Sequence, residues 1–189
     1  MKVGLYFGSF NPVHNGHLII AQHVINNTDL LQVWLVISPQ NPLKPFSSLL
    51  NEYHRFHMVQ TAIEGETKLK ASNIEFQLPK PSYTVDTLAY LKEKYPQHQF
   101  AVIMGSDSFC NLNKWKNSDI IIKNHPLFIY ERQGFKIENT SKATIHVLNA
   151  PLLQISSTHI RELIRAGKSI RYMVPDIVME EIVRNGYYK

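Results

Sequence analysis

The stretch Val3-Gly4-Leu5-Tyr6-Phe7-Gly8-Ser9-Phe10-Asn11-Pro12-Val13-His14-Asn15-Gly16-His17 decides how this chain folds. Val3 to Phe7 is a short apolar run stopped by Gly8, which predicts a buried strand. His17 to Val24 is apolar on nearly every face and predicts a buried helix. Gln32 to Ile37 is apolar and partly β-branched, a second strand. A strand, a helix and a strand in succession make a βαβ opening with parallel strands.

The same reading extends outward. Ser38 to Pro45 holds three prolines and is a loop. Glu52 to Ile63 places Phe56, Val59 and Ile63 on one helical stripe. Ala71 to Phe76 reads as a strand, and Thr84 to Lys94 as a helix stacking Val85, Leu88 and Ala89. Phe100 to Met104 is a strand ending at Gly105, and Leu127 to Tyr130 and Ile145 to Leu148 are two more. From about residue 157 the chain turns helical: Ile160, Leu163 and Ile164 share a face while Arg161 and Arg165 point elsewhere. Pro175 starts a last helix with Val178 and Ile182 on its core side and Gly186 as its cap. The class is therefore α/β, a parallel sheet with helices on both faces and a C-terminal helical part. Ligands in such folds bind at the carboxyl ends of strands, here just after Phe7, Ile37, Phe76 and Met104.

The 189 residues, 44% hydrophobic and 19% charged, fit one compact domain over residues 1–189. Lys and Arg outnumber Asp and Glu by 20 to 15, a net charge of +5, which points to an anionic partner. No dense Lys/Arg run is present, so small phosphorylated metabolites rank ahead of nucleic acid. The single cysteine, Cys110, excludes an intrachain disulfide, fits a reducing compartment and is expected to be packed and inert. No signal peptide and no bilayer-length apolar run is evident, so a cytoplasmic protein without a membrane partner is expected.

Two segments carry chemistry. In the first, Gly8 permits a tight turn and close approach of a ligand, and Gly16 allows the same at the helix start. The free N–H groups of that start form a phosphate seat. His14 and His17, three apart, share one side of a turn and can donate to phosphate oxygens. A plain turn with incidental histidines is the bland alternative. A zinc site is opposed by the lack of an HExxH motif and of a third ligand. The dinucleotide pattern GxGxxG is absent, and Gly167-Lys168-Ser169 fails as a P-loop because Glu162 stands where glycine is required. In the second segment, Ile155-Ser156-Ser157-Thr158-His159-Ile160-Arg161, three adjacent hydroxyl residues precede an amphipathic helix. Capping needs only one of them. The others, the helix amides and the Arg161 fork make an anion site.

Together the two segments resemble the nucleotidylyltransferase superfamily, whose HxGH-type and ISSTxxR-type motifs are matched by His14-Asn15-Gly16-His17 and Ile155 to Arg161. Pro42-Leu43-Lys44, Ser82-Tyr83-Thr84-Val85-Asp86-Thr87, Gly105-Ser106-Asp107 with Trp115, and Arg171 to Pro175 are similar to the bacterial nicotinate-nucleotide adenylyltransferase branch. The Ser-Tyr-Thr-x-Asp-Thr element is the most specific of them. One departure is Phe7-Gly8, where that family usually has Gly-Gly.

The resemblance implies a Rossmann-like fold and transfer of AMP from ATP to nicotinate mononucleotide, giving deamido-NAD and pyrophosphate. It implies His14 and His17 on the α- and β-phosphates, and Lys44 and Arg161 on the outgoing pyrophosphate. Ser157 and Thr158 would seat the β- and γ-phosphates. Gly8, Ser9, Phe10, Gly16 and Ile155 would line the ATP site, with Gly105 and Asp107 near the adenosine. Tyr83 and Thr84 open a helix whose amides suit a nicotinate carboxylate, and Trp115 would stack on the pyridine ring. Without the resemblance, Lys44 reads as a solvated lysine, Asp107 as a helix cap and Trp115 as core. Mg2+ would come with ATP rather than on protein ligands. The enzyme rivals are a pantetheine-phosphate adenylyltransferase, which usually has Thr at the His14 position, and a nicotinamide-nucleotide adenylyltransferase. The rival outside enzymes is a nucleotide-sensing or nucleic-acid-binding module. A homo-oligomer stays open.

Overall fold

A computed structural model describes residues 1–40, 49–138, 143–151 and 154–189. The elements are β1 (Lys2–Gly8), α1 (Asn15–Asn27), β2 (Gln32–Ile37), α2 (Glu52–Ala62), β3 (Leu69–Ser72), α3 (Thr84–Lys94) and β4 (Gln99–Gly105). They continue with α4 (Ser106–Cys110), α5 (Ser118–Asn124), β5 (Leu127–Tyr130), β6 (Ile145–Leu148), α6 (Ser157–Arg165) and α7 (Asp176–Asn185). Short 3-10 turns lie at Ile74–Gln77 and Leu112–Lys114.

The six strands form one sheet in the order β3-β2-β1-β4-β5-β6, every pair parallel. This is the Rossmann-like arrangement expected from the alternation of strands and helices. The order reverses between β1 and β4, so connections leave to opposite faces there and open a crevice beyond Gly8 and Gly105. The central strands are nearly continuous apolar runs because both faces are covered. One core holds Ile20, Val24, Met58, Val59, Ile160, Val178 and Ile182 from α1, α2, α6 and α7. The other holds Val85, Leu88, Leu91, Phe109 and Ile121 from α3, α4 and α5.

Several expectations are corrected. Helix α1 is not buried all round. Gly16, Ile20, Ala21, Val24 and Ile25 face the sheet while Ile19 is 38% exposed, because a helix in the outer layer keeps one side in solvent. The third strand ends at Ser72, not Phe76. Its register with β2 stops at Val36↔Ser72, and the chain then turns so that Ile74 drops into the core. In α3 the buried positions are Val85, Thr87, Leu88 and Leu91, and Ala89 is exposed. Pro175 is the N-cap of α7 rather than its first residue, while Gly186 ends that helix in the left-handed region at φ 64. Cys110 is exposed, its thiol donating to the Lys136 carbonyl at 3.2 Å.

Candidate active site

The crevice is built first from the loop after β1. Phe10 has φ 45, a left-handed backbone that costs a side chain about 1 kcal/mol. Burial holds it there: Phe10 is 2% exposed and its ring packs edge-on against Tyr6 and His17, with centroids 5.8 and 4.9 Å away. Gly8 is required by this ring, since a Cβ at Gly8 would sit 2.9 Å from it. Gly16 likewise makes room for the His14 ring, 3.0 Å from where its Cβ would be. Both glycines thus accommodate the site's own rings, a tighter constraint than approach of a ligand alone.

Arg55 of α2, fully buried, fixes the loop and was not singled out in the sequence. It donates to the carbonyls of Leu50 at 2.7 Å, Ser9 at 2.6 Å, Ser38 at 2.8 Å and Pro39 at 3.1 Å. The ends of β1 and β2 and the start of α2 are thereby tied to one planar cation. Burial lowers its pKa to about 10, so it stays charged at neutral pH.

His14 and His17 lie at the start of α1 with their rings stacked, centroids 3.6 Å apart. The His14 backbone N–H donates to His17 Nδ1 at 3.3 Å. The proton of a neutral His17 ring is therefore on Nε2, which makes Nε2 a donor. Burial, and then the charge of Arg132, lower the His14 pKa to about 4, so this ring is neutral at physiological pH.

The second segment docks onto the first. Ser156 caps α6, its hydroxyl accepting from the His159 N–H at 3.2 Å. Ser157 donates its hydroxyl to the Pro12 carbonyl at 2.9 Å, so it acts as a tether between the segments and not as a free hydroxyl donor. Arg161 does not point to solvent. Its Nη1 donates to the Asn11 carbonyl at 2.7 Å and its Nη2 to the Thr158 hydroxyl at 3.3 Å.

A cavity of about 570 Å3 results, lined by His14, His17, Ser157, Thr158 and Arg161 with Ser9, Phe10 and Ile155. The structure adds Arg132, two residues beyond the end of β5. Its backbone N–H donates to Ser106 Oγ at 2.8 Å, and its guanidinium lies 5.4 Å from the centre of the Tyr130 ring. The strand-end rule would have found it had it been applied to Tyr130. His159, the neighbour of the motif, is exposed and lies 3.7 Å from Glu162.

A second cavity of about 680 Å3 is lined by Tyr83, Thr84, Gly105, Asp107 and Trp115. Tyr83 is the N-cap of α3 without a side-chain capping bond, so the first amides of that helix are left for another partner. Trp115 is half-buried, part core and part wall. The two cavities share Tyr6, Phe7, Gly8, Asp107, Ser108 and Tyr130. Lys44 lies outside the described residues. Among the described residues no three His, Cys, Asp or Glu side chains converge to hold a metal ion, and no helix is long and apolar enough to cross a membrane.

Residues 5–163 match the family model described as cytidylyltransferase-like. With a parallel sheet and a cationic crevice at its switch point, the class is that of a nucleotidyltransferase. Over its whole length the chain is 50% identical to the protein of Flavobacterium johnsoniae named "Probable nicotinate-nucleotide adenylyltransferase", covering 100% of both. A protein of the same name from Cytophaga hutchinsonii is also 50% identical, over 100% of this chain and 98% of that one. The chain belongs to the nicotinate-nucleotide adenylyltransferase family. The fold is shared with Plasmodium falciparum nicotinic acid mononucleotide adenylyltransferase complexed with NaAD, at a TM-score of 0.85 and 23% identity, covering 99% of this chain and 97% of that one.

Proposed function

We propose that this chain transfers the adenylyl group of ATP to nicotinate mononucleotide, forming deamido-NAD and releasing pyrophosphate. The observation that carries the reading is the convergence of His14, His17, Arg132, Arg161 and the α6 N-terminus on one cavity that opens onto another. The acceptor phosphate attacks the α-phosphorus in line, a P–O bond forms, and the bond to the β-phosphate oxygen breaks. A phosphate monoester has a second pKa of about 6, so the nucleophile is already ionised at neutral pH and needs no general base. The protein's part is alignment and charge neutralisation. His17 donates from Nε2, and His14 joins it on the α- and β-phosphates. Arg132 and Arg161 neutralise the leaving pyrophosphate, with Thr158 and the α6 amides at its far end. Lys44 is assigned to the same group by its motif. Mg2+ enters with ATP, held by phosphates and water. Tyr83, Thr84 and Trp115 receive the pyridine ring and its carboxylate, and Gly105 and Asp107 face the adenosine.

The test is pyrophosphate release from Mg-ATP with nicotinate mononucleotide, nicotinamide mononucleotide or phosphopantetheine. Preference for the first is expected. Preference for either of the others overturns the assignment.

A further inference from the structure

The second cavity has a wall that adenylyl transfer does not use. Glu75, in the 3-10 turn after β3, is 2% exposed and lines the cavity beside Ser82, Tyr83, Thr84 and Trp115. The Ser82 hydroxyl donates to its Oε2 at 2.6 Å and the Thr87 hydroxyl to its Oε1 at 2.8 Å. Ser38 adds a third hydroxyl. Among the described residues no Lys, Arg or His forms an ion pair with it. Burial pushes the Glu75 carboxyl up, and the hydroxyls oppose that only in part.

The other ionisable groups around the cavity do not compensate this carboxyl. Lys116 is committed to Asp86 at 2.9 Å and lies 4.8 Å from the centre of the Tyr83 ring. Lys114 donates to Asn111 Oδ1 at 2.8 Å. From α4, Asp107 adds a further carboxylate, and Tyr6 and Tyr130 present phenols. Behind Ser82, Lys80 pairs with Glu52.

An anionic ring substituent seated at the α3 amides meets Glu75 as a like charge. Of two carboxylates that share one cavity, the buried one takes up a proton more readily. A neutral carboxamide makes no such demand. We propose that Glu75 is a specificity-determining residue, a buried carboxyl that carries a proton when the acid nucleotide binds and need not when the amide binds. The proposal rests on the reading of this cavity as the ring site. Preference for the acid over the amide then falls as pH rises.

The experiment measures kcat/KM for nicotinate mononucleotide divided by that for nicotinamide mononucleotide, from about pH 6 to about pH 9. Both substrates carry the same phosphate monoester, so its titration cancels in the ratio. In the wild type the ratio is expected to fall at least about tenfold, the equivalent of one pKa unit of coupling. In Glu75→Gln, neutral and nearly isosteric, it is expected to stay flat. Ser82→Ala removes a bond to the ionised form, so it moves the fall to higher pH, a result that loss of a merely structural contact does not give. Ser82→Ala also keeps the test alive if thermal melting shows Glu75→Gln unfolded. A ratio flat in the wild type, or falling equally in Glu75→Gln, overturns the proposal. Failure of the proposed function shows differently, as preference for the amide at every pH in the wild type, or as no pyrophosphate released with either mononucleotide.

Discussion

His17 and His14 have similar positions and different physics. His17 has a defined tautomer because a backbone N–H occupies Nδ1, which makes Nε2 the donor of the neutral ring. His17→Ala is expected to lower turnover about a hundredfold or more with the melting temperature little changed, the usual loss of a transition-state donor. Pyrophosphate release and thermal melting check both halves. His14 is 3% exposed and its pKa falls from 6.5 to about 4 on folding. Between those values the unfolded chain binds the proton and the folded chain does not, so stability rises with pH through this window. Acidification from pH 6.5 to 4 removes about 3 kcal/mol through this group. Urea unfolding near neutrality and near pH 4 measures the loss. His14→Gln is expected to be less acid-sensitive by about that amount, and equal acid sensitivity in the variant assigns the effect to another group.

At the scale of elements, the two motifs are held by groups whose work is mostly structural. Ser156 caps α6, so Ser156→Ala is expected to lose about 1 kcal/mol of stability and little turnover. Ser157 ties α6 to Pro12 instead, so Ser157→Ala is expected to lower turnover more than Ser156→Ala for similar stability. Steady-state kinetics beside urea titration separates the two. Arg55→Leu leaves the Ser9, Ser38 and Pro39 carbonyls without their cation and is expected to lose about 3 kcal/mol, read from the same titration. The two segments that line the crevice were legible in the sequence because glycines, histidines and hydroxyls cluster at a strand-to-helix turn and at a helix start. Arg55 and Arg132 were not. A lone arginine in a helix looks solvated until the fold buries it against carbonyls, and Arg132 gains meaning only because β5 ends at the crevice. The β3 boundary failed for a related reason: Ile74 and Phe76 are apolar, but both pack from within a 3-10 turn, and apolar content alone does not tell that from a strand. Ala89 carries no signal of its own, since alanine suits either side of a helix.

At the scale of the whole molecule, the site is a joint between distant parts of one chain. Arg161 reaches the Asn11 carbonyl across 150 residues, and Tyr6 meets Tyr130 across 124 at the boundary of the two cavities. Under the proposed assignment ATP braces α6 and the end of β5 through its β- and γ-phosphates, nicotinate mononucleotide braces α3, and deamido-NAD, which has lost the pyrophosphate, braces the β1 loop and α3. Ligand that binds only the folded chain stabilises it by RT ln(1 + [L]/Kd), about 2.7 kcal/mol at a hundredfold excess over Kd. For a chain of this size that is a rise in melting temperature of about 5–10 °C. With ligand concentrations matched as multiples of Kd, ATP and deamido-NAD give equal rises by mass action, so the discriminating measurement is local. Amide hydrogen exchange in α3, residues 84–94, is expected to slow with deamido-NAD and with nicotinate mononucleotide but hardly with ATP, while α6, assigned to the leaving pyrophosphate, slows with ATP and hardly with deamido-NAD. Exchange in α3 that responds to ATP as strongly as to the mononucleotide would show that the cavities do not divide the two substrates in this way.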